Sequence, residues 1–182
     1  SGMGRLYARR LALRGYNVII VDINSKGLEE TEGLVRKDIE ENVKIDTSVR
    51  EKFRILPIVQ DLSQTDAADR IFEITEEKEC KVEVLVNNAG IMYCQGIAET
   101  SERMLKLISM VHMVTPLMLC RKYVTGMKER GCGYILNISS LASWMIWPGI
   151  GMYGTTKRFV KDYSRELRIC LLYTSPSPRD AT

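Results

Sequence analysis

The chain has 182 residues, of which 45% are hydrophobic and 27% charged, and its formal net charge at pH 7 is +3. These values are typical of one globular domain or part of one. So small a charge gives no reason to expect a nucleic-acid partner. We also find no apolar run of membrane-spanning length, and therefore expect no membrane contact. The five cysteines lack pair or metal spacing, which predicts no metal site and a reducing, cytoplasmic location.

The first part of the chain has the pattern of a nucleotide-binding unit. Gly2 and Gly4 open a predicted helix that stops at Gly15, and a buried strand then ends in Asp22. Glycines at a helix start let a phosphate approach the exposed backbone N–H groups. An acid about 20 residues further on can accept hydrogen bonds from a ribose diol. We therefore predict a dinucleotide site here, the alternative being an ordinary turn glycine.

The remaining elements alternate between strands and helices. Further strands are predicted over 54–61, 82–90 and 133–140, and a long helix with one apolar face over 99–129. The segment 24–53 is predicted as an extended helix or a loop, without a function. Strands that alternate with helices indicate an α/β fold with a parallel sheet covered on both faces.

A candidate proton-transfer group lies near the end of the chain. Tyr153 and Lys157 are four residues apart, so both side chains lie on one helix face, and Ser140 precedes them. A free phenol, with a pKa near ~10, is a poor proton shuttle at neutral pH, and a neighbouring ammonium favours its ionised form. A serine hydroxyl can hold a carbonyl oxygen beside the phenol. Together the three can move a proton to or from an alcohol while another group carries a hydride.

These features together resemble the standard short-chain dehydrogenase/reductase family from Ser1 to about Ile169. The matching residues are Gly2, Gly4, Asp22, Asp61, Leu62, Asn87, Asn88, Ala89, Gly90, Ser140, Tyr153 and Lys157. The resemblance implies a Rossmann-like doubly wound parallel sheet. It also implies an oxidoreductase that interconverts an alcohol and a ketone or aldehyde with NAD(P), and a homo-oligomer when the protein is full length.

The resemblance also implies a role for each matched residue. Tyr153 is the general acid/base, Lys157 tunes it and holds the nicotinamide ribose, and Ser140 positions the substrate oxygen. The segment from Asn88 through Ala89 to Gly90 braces the sheet beside the cofactor. The acid Asp61, followed by Leu62, meets the adenine ring.

The residue types also favour NAD over NADP. Asp22 would repel a 2′-phosphate and suits a free ribose diol. Family members that prefer NADP often carry a basic residue where this chain has Ser1. We expect Arg5, Arg9 and Arg10 to form a solvated helix face and not a phosphate site.

One position departs from the family pattern. The family usually has an asparagine in the long helix, where it joins a water relay to the lysine, and here Val111 is followed by His112, the only histidine. Imidazole titrates near pH ~6.5 and can also relay protons. His112 is therefore a candidate relay residue, the alternative being a structural histidine bonded to the backbone.

Both ends of the chain also differ from the family. The first strand and first motif glycine are absent, and by resemblance that strand lies in the middle of the sheet. Residues 170–182 look like the translation of a sequencing adaptor, the alternative being a natural Pro/Ser-rich tail. We therefore predict a partial domain over 1–169 and a non-native tail over 170–182. Because exposed inner sheet edges favour aggregation, we expect this chain by itself to be neither stably folded nor active.

Large apolar residues around the predicted site suggest an apolar substrate. The loop between Ser140 and Tyr153 contains Trp144 and Trp147, which could equally pack a loop or a subunit contact. Two other functions stay open. One is a nucleotide-sugar epimerase or dehydratase, which shares the Tyr/Lys pair but usually lacks the Asn-Asn-Ala-Gly turn. The other is a non-catalytic NAD-binding sensor.

Overall fold

The computed structural model describes residues 2–42 and 46–174. The chain divides into two compact units, residues 1–62 and residues 63–182. We call them the first and the second unit. Most of the predicted adaptor-derived tail, residues 175–182, lies outside the described residues, so its origin stays a prediction.

The first unit consists of three helices and two strands within the described residues. In chain order they are α1 (Gly2–Ala12), β1 (Val18–Asp22), α2 (Ser25–Glu41), α3 (Thr47–Lys52) and β2 (Ile55–Val59). The two strands pair in parallel, from Val18 opposite Ile55 to Asp22 opposite Val59. Helices α2 and α3 lie between them in sequence, so the segment 24–53, predicted as a helix or a loop, contains two helices.

Apolar side chains at helical and strand spacing form the core of the first unit. On α2 the buried residues recur at Leu28, Val35 and Ile39, which is one face of the helix. They pack in one cluster with both strands and α1: Ala8, Ala12, Val18, Ile20, Phe53 and Ile55. Asn24 starts α2, because its side chain accepts a hydrogen bond from the Gly27 N–H and so caps the helix.

The second unit contains the longer helices. Its main elements are α4 (Ala67–Glu77), β3 (Val84–Asn87), α5 (Glu102–Ser109), α6 (Thr115–Glu129), β4 (Tyr134–Asn137) and α7 (Gly151–Thr174). Strand β3 pairs in parallel with β4, from Val84 opposite Tyr134 to Asn87 opposite Asn137. Helix α7 continues five residues past Ile169, where we predicted the family domain to end.

The predicted long helix is interrupted. Residues Met110–Val114 form a π-helical turn between α5 and α6. Such turns are rare and occur frequently at functional sites. Periodicity did not indicate this one, because its apolar residues continue the pattern of the helices on both sides.

The expectation that no apolar segment reaches membrane-spanning length is wrong for 102–129. This helical segment is long and apolar enough, with a mean hydropathy of 1.3 over an 18-residue window. Core helices of soluble proteins pass the same criterion. In the second unit 33% of that window is buried, and the buried residues of the segment include His112, Thr115 and Tyr123.

The strand pairs confirm the predicted fold class. Within the described residues each unit has a two-stranded parallel sheet. Parallel strands need crossover connections, and here helices supply them: α2 and α3 between β1 and β2, and α5 and α6 between β3 and β4. The fold is α/β and Rossmann-like, with incomplete sheets.

Candidate active site

The two strands of the second unit end side by side in asparagines. The Asn87 side-chain Nδ2–H donates to Asn137 Oδ1 at 2.8 Å. The Asn137 side-chain Nδ2–H donates to Ser164 Oγ on α7 at 3.0 Å. These bonds join the carboxyl ends of β3 and β4 to α7. In parallel sheets this edge is where ligands bind, and both candidate site segments, 88–91 and 138–140, begin here.

Tyr153 and Lys157 lie one turn apart on α7, as predicted. Lys157 is only 4% exposed, and its Nζ donates to the Ile138 carbonyl oxygen at 2.9 Å. This Nζ lies 6.0 Å from the centroid of the Tyr153 ring. Burial lowers the pKa of the Lys157 amine. The Ser139 hydroxyl donates to the Lys157 carbonyl oxygen at 2.6 Å, so the segment after β4 is bonded to the lysine at two points.

Ser140 is positioned by a short turn that packs against α7. Its Oγ accepts a hydrogen bond from the Ala142 N–H at 3.2 Å, at the start of a single 3₁₀ turn, Leu141–Ser143. A Cβ at Gly154 would lie 3.0 Å from the Ala142 carbonyl oxygen. Glycine at 154 therefore permits the close approach of this turn to the helix that carries Tyr153.

His112 is fully buried in the π-helical turn, with hydrogen bonds at both ring nitrogens. The Ile91 N–H donates to Nε2 at 2.8 Å, so Nε2 carries no proton. Nδ1 lies 2.8 Å from Thr156 Oγ1, and the Thr156 hydroxyl donates to the Tyr153 carbonyl oxygen, also at 2.8 Å. Burial, and to a lesser extent the charge of Lys157, lower the pKa of His112 to about 4. The imidazole is therefore neutral near pH 7, with its proton on Nδ1.

Gly90 lies against both basic side chains. A Cβ at this position would lie 3.2 Å from Lys157 Nζ and 3.3 Å from His112 Nε2. The turn after β3 thus contacts Lys157 and His112 with backbone atoms, because residue 90 has no side chain. Beside it, Asn88 Oδ1 is buried and has no hydrogen-bond partner among residues 2–42 and 46–174. An unpaired buried acceptor fits a site that receives a donor from a ligand.

The predicted nucleotide residues Gly2, Gly4, Asp22, Asp61 and Leu62 lie in the first unit. Gly2 has φ +52°, a left-handed conformation that favours glycine, at the first residue of α1. Asp22 is the last residue of β1, and its Oδ1 accepts a hydrogen bond from the Asn24 N–H at 3.1 Å. Asp61 and Leu62 follow β2 and are half-buried. A glycine-initiated helix and a strand-terminal carboxylate fit a dinucleotide.

The arginines of α1 are engaged within the first unit. Arg5 pairs with Glu30, and Arg9 with Asp38, both acids lying on α2. Arg10 is exposed. Arg5 and Arg9 therefore join α1 to α2 through partly buried contacts, and only Arg10 has the exposure expected of a solvated helix face.

The loop between Ser140 and Tyr153 exposes apolar side chains. Trp144, Ile146 and Trp147 are 66%, 93% and 60% exposed. The Trp144 ring is covered on one face by Lys161 of α7, whose Nζ lies 3.9 Å from the ring centroid.

Sequence reasoning named Ser140, Tyr153, Lys157 and His112 as candidates, and it did not name Thr156 or the Ile91 N–H, which bond to His112. Thr156 directly precedes Lys157, and a threonine three residues after Tyr153 can bond back to that residue's carbonyl. The Ile91 contact is a backbone contact between distant segments and leaves no sequence signal.

Comparison with known proteins identifies the family. The model of the family described as short chain dehydrogenase matches residues 1–174. The chain belongs to this family.

Individual relatives are similar along nearly the whole chain. The very-long-chain 3-oxoacyl-CoA reductase of Anas platyrhynchos is 32% identical, with 92% of this chain and 51% of that protein covered. The inactive hydroxysteroid dehydrogenase-like protein 1 of Homo sapiens is 31% identical, with 92% and 48% covered. The chain thus spans about half the length of the curated relatives it matches.

A solved structure gives the same fold. The bulky-bulky ketone specific alcohol dehydrogenase from Comamonas testosteroni superposes with a TM-score of 0.81 at 26% identity. The match covers 94% of this chain and 64% of that one. It agrees with a partial short-chain dehydrogenase domain.

Proposed function

We propose that the full-length protein that carries this segment is an NAD-dependent oxidoreductase, which interconverts an alcohol and a ketone or aldehyde. The observation that carries the proposal is the arrangement on α7. Tyr153 is half-buried there, one turn before a buried lysine whose amine lies 6.0 Å from the centroid of the phenol ring. A buried lysine on a soluble domain is expensive to retain, and such groups concentrate at functional sites.

Each residue of the group has a distinct task. The Ser140 hydroxyl orients the substrate oxygen toward the phenol, because its turn packs directly on α7 at Gly154. Tyr153 takes the proton from the alcohol in oxidation, or returns it in reduction. The positive charge of Lys157 stabilises negative charge that develops on the phenol oxygen. A bound nicotinamide supplies or accepts the hydride, and Lys157, Asn88, Ala89 and Gly90 are the residues of the second unit that would hold it.

NAD is the proposed cofactor, and Asp22 is the residue that selects it. A carboxylate at the end of β1 accepts bonds from a free ribose diol and repels a 2′-phosphate. We expect kcat/KM with NAD to exceed that with NADP more than tenfold, a difference of about 1.4 kcal/mol. Asp22→Asn should reduce the ratio mainly by improving use of NADP. A more than tenfold preference of the wild-type protein for NADP would contradict the assignment.

The proposed substrate is apolar. Exposed Trp144, Ile146 and Trp147 follow Ser140, and Met92 is 74% exposed after the turn at Gly90. The Comamonas relative is specific for bulky ketones and the Anas relative reduces very-long-chain 3-oxoacyl-CoA, according to their names. A screen of secondary alcohols with increasing side chains, followed by NADH absorbance, should show activity rising with apolar size.

Tyr153→Phe tests the enzymatic role. The variant keeps the ring and loses the hydroxyl, so we expect turnover to fall at least ~10³-fold while NAD binding, followed by fluorescence or calorimetry, stays within about twofold. Tyr163→Phe on the same helix is the matched control. If Tyr153→Phe keeps its turnover, the proposed catalytic role of Tyr153 is wrong.

A non-catalytic NAD-binding protein is the second candidate. The observation that favours it is the similarity to a dehydrogenase-like protein described as inactive. It requires that the wild-type protein bind NAD and turn over no alcohol or ketone in the screen.

We also propose that the full-length protein is a cytoplasmic homo-oligomer. The support for the location is the spacing of Cys80, Cys94, Cys120 and Cys132 in the sequence, which does not indicate a disulfide framework. Light scattering on the purified protein and fractionation of the producing cells would test the two statements.

A further inference from the structure

A continuous hydrogen-bond chain connects the turn after β3 to α7 through His112. It runs from the Ile91 N–H to His112 Nε2, from Nδ1–H to Thr156 Oγ1, and from the Thr156 hydroxyl to the Tyr153 carbonyl oxygen. We propose that His112 is a positioning residue, which holds the Gly90–Ile91 backbone against the helix turn that carries Tyr153 and Lys157, and that it does not relay protons. The proposal rests on the proposed function, since it concerns the geometry of the same site.

The direction of each bond argues against a relay. At one end the donor is the Ile91 amide, which does not exchange protons in a catalytic cycle. At the other end the acceptor is the Tyr153 carbonyl oxygen, not its phenol. Both ends of the chain are therefore main-chain groups, and no path along these bonds leads to the reacting hydroxyl.

The surroundings of the ring favour its neutral form. Two titratable groups of α7 lie close to it, Lys157 and Tyr153. The Tyr153 ring lies edge to face with the imidazole, at a centroid distance of 5.7 Å. Lys157 opposes a second positive charge, and the ring is 1% exposed. His112 thus keeps one hydrogen-bond donor and one acceptor throughout the neutral pH range, as a positioning residue, or brace, between the two backbone segments requires.

The close packing explains why this brace would matter for catalysis. A Cβ at Gly90 would lie only 3.2 Å from Lys157 Nζ. The Gly90 backbone therefore packs close to the amine, and a small shift of this backbone would displace the amine. Three segments meet at the imidazole: the turn after β3, the π-helical turn and α7. A misplacement of about 1 Å in an active site can lower the rate ~10²-fold.

Two substitutions separate a brace from a relay. His112→Gln supplies a carboxamide, with one acceptor and one donor but no titratable proton, whereas His112→Leu supplies neither. In the full-length protein we expect Leu to lower kcat about 10²-fold, with a smaller change in KM, and Gln to restore kcat to within about fivefold of wild type. If Gln loses as much activity as Leu while remaining folded, the positioning role is wrong.

Thr156→Val provides a second test that leaves the histidine in place. It removes the hydroxyl that joins Nδ1 to Tyr153, so its loss of kcat should resemble that of His112→Leu, and the double variant should lose little more. Thr75→Val is the matched control, because Thr75 makes a buried hydrogen bond to Tyr123 away from this site. It should lower the melting temperature and leave kcat unchanged. Additive losses in the double variant, or an equal loss of kcat in the control, would overturn the proposal.

Nitrogen-15 NMR of the imidazole gives a readout that does not depend on turnover. We expect the neutral Nδ1–H tautomer from about pH 5.5 to pH 8.5, and a titration midpoint near the ordinary ~6.5 would refute the brace. If the wild-type protein turns over no substrate, the proposed function fails. This measurement then still decides whether the imidazole is held as described.

Discussion

Among the described residues the two units differ in the titratable side chains that they bury: the second unit buries His112 and Lys157, whereas the buried polar residues of the first are Thr31 and Gln60. In the first unit charged side chains pair near the surface, as Arg9 does with Asp38, above a core of mainly apolar residues. In the second unit polar groups are themselves buried, among them His112, Thr156 and Lys157. Buried polar groups are costly unless they are hydrogen-bonded, and the hydrogen bonds of His112, Thr156 and Lys157 fix the geometry of their neighbours. The second unit thus holds a preorganised group of reactive side chains, and the first presents a glycine-initiated helix and a carboxylate.

The prediction with the largest expected effect tests whether the buried ammonium of Lys157 takes part in catalysis. Lys157→Met keeps the length of the side chain and removes the ammonium, so we expect kcat of the full-length protein to fall about 10³-fold. Lys122→Met is the control, because Lys122 is paired with Asp69 on the far helix α4. Steady-state kinetics with both variants measures the difference. Equal activities would show that the buried lysine is only structural.

The next prediction concerns how the free energy of unfolding depends on pH through His112 in the second unit. His112 is held neutral with a pKa of about 4, below the ordinary value of 6.5. Between these values the unfolded state binds more protons, so stability is complete above pH 6.5 and is lost as the pH falls toward 4. The loss is at most about 3 kcal/mol. Urea unfolding at several pH values measures it.

His112→Gln is the comparison for this measurement. The variant should lose less stability than wild type over the same pH interval, because glutamine does not titrate. Parallel curves for the two proteins would mean that His112 is not held neutral.

The smallest effect belongs to the first unit. Arg9 binds Asp38 with two hydrogen bonds, and this contact lowers the pKa of the Asp38 carboxyl. Because the pair is partly solvated, Arg9→Ala should cost about 1 kcal/mol or less in unfolding free energy, with no change in kcat. Added salt should reduce the cost further. A loss of several kcal/mol would show that surface pairing is as important here as the buried bonds of the second unit.

Much of the difference between the two units could be predicted from local sequence patterns. The strand ending in Asp22 and the Tyr153–Lys157 spacing are local properties, since strand alternation and the helical repeat act over a few residues. The role of His112 could not be settled in this way. Its partners are a backbone amide 21 residues before it and a hydroxyl 44 residues after it.

The amino-acid order by itself determined the family, the parallel α/β elements and the placement of Ser140, Tyr153 and Lys157, because these depend on short-range spacing. Only the tertiary structure decided the π-helical turn, the bare backbone at Gly90 beside Lys157, and the protonation of His112. These depend on which distant donor or acceptor meets each buried group. Hydrogen-bond direction is a property of a pair of atoms in space, and the linear spacing of the chain does not encode it.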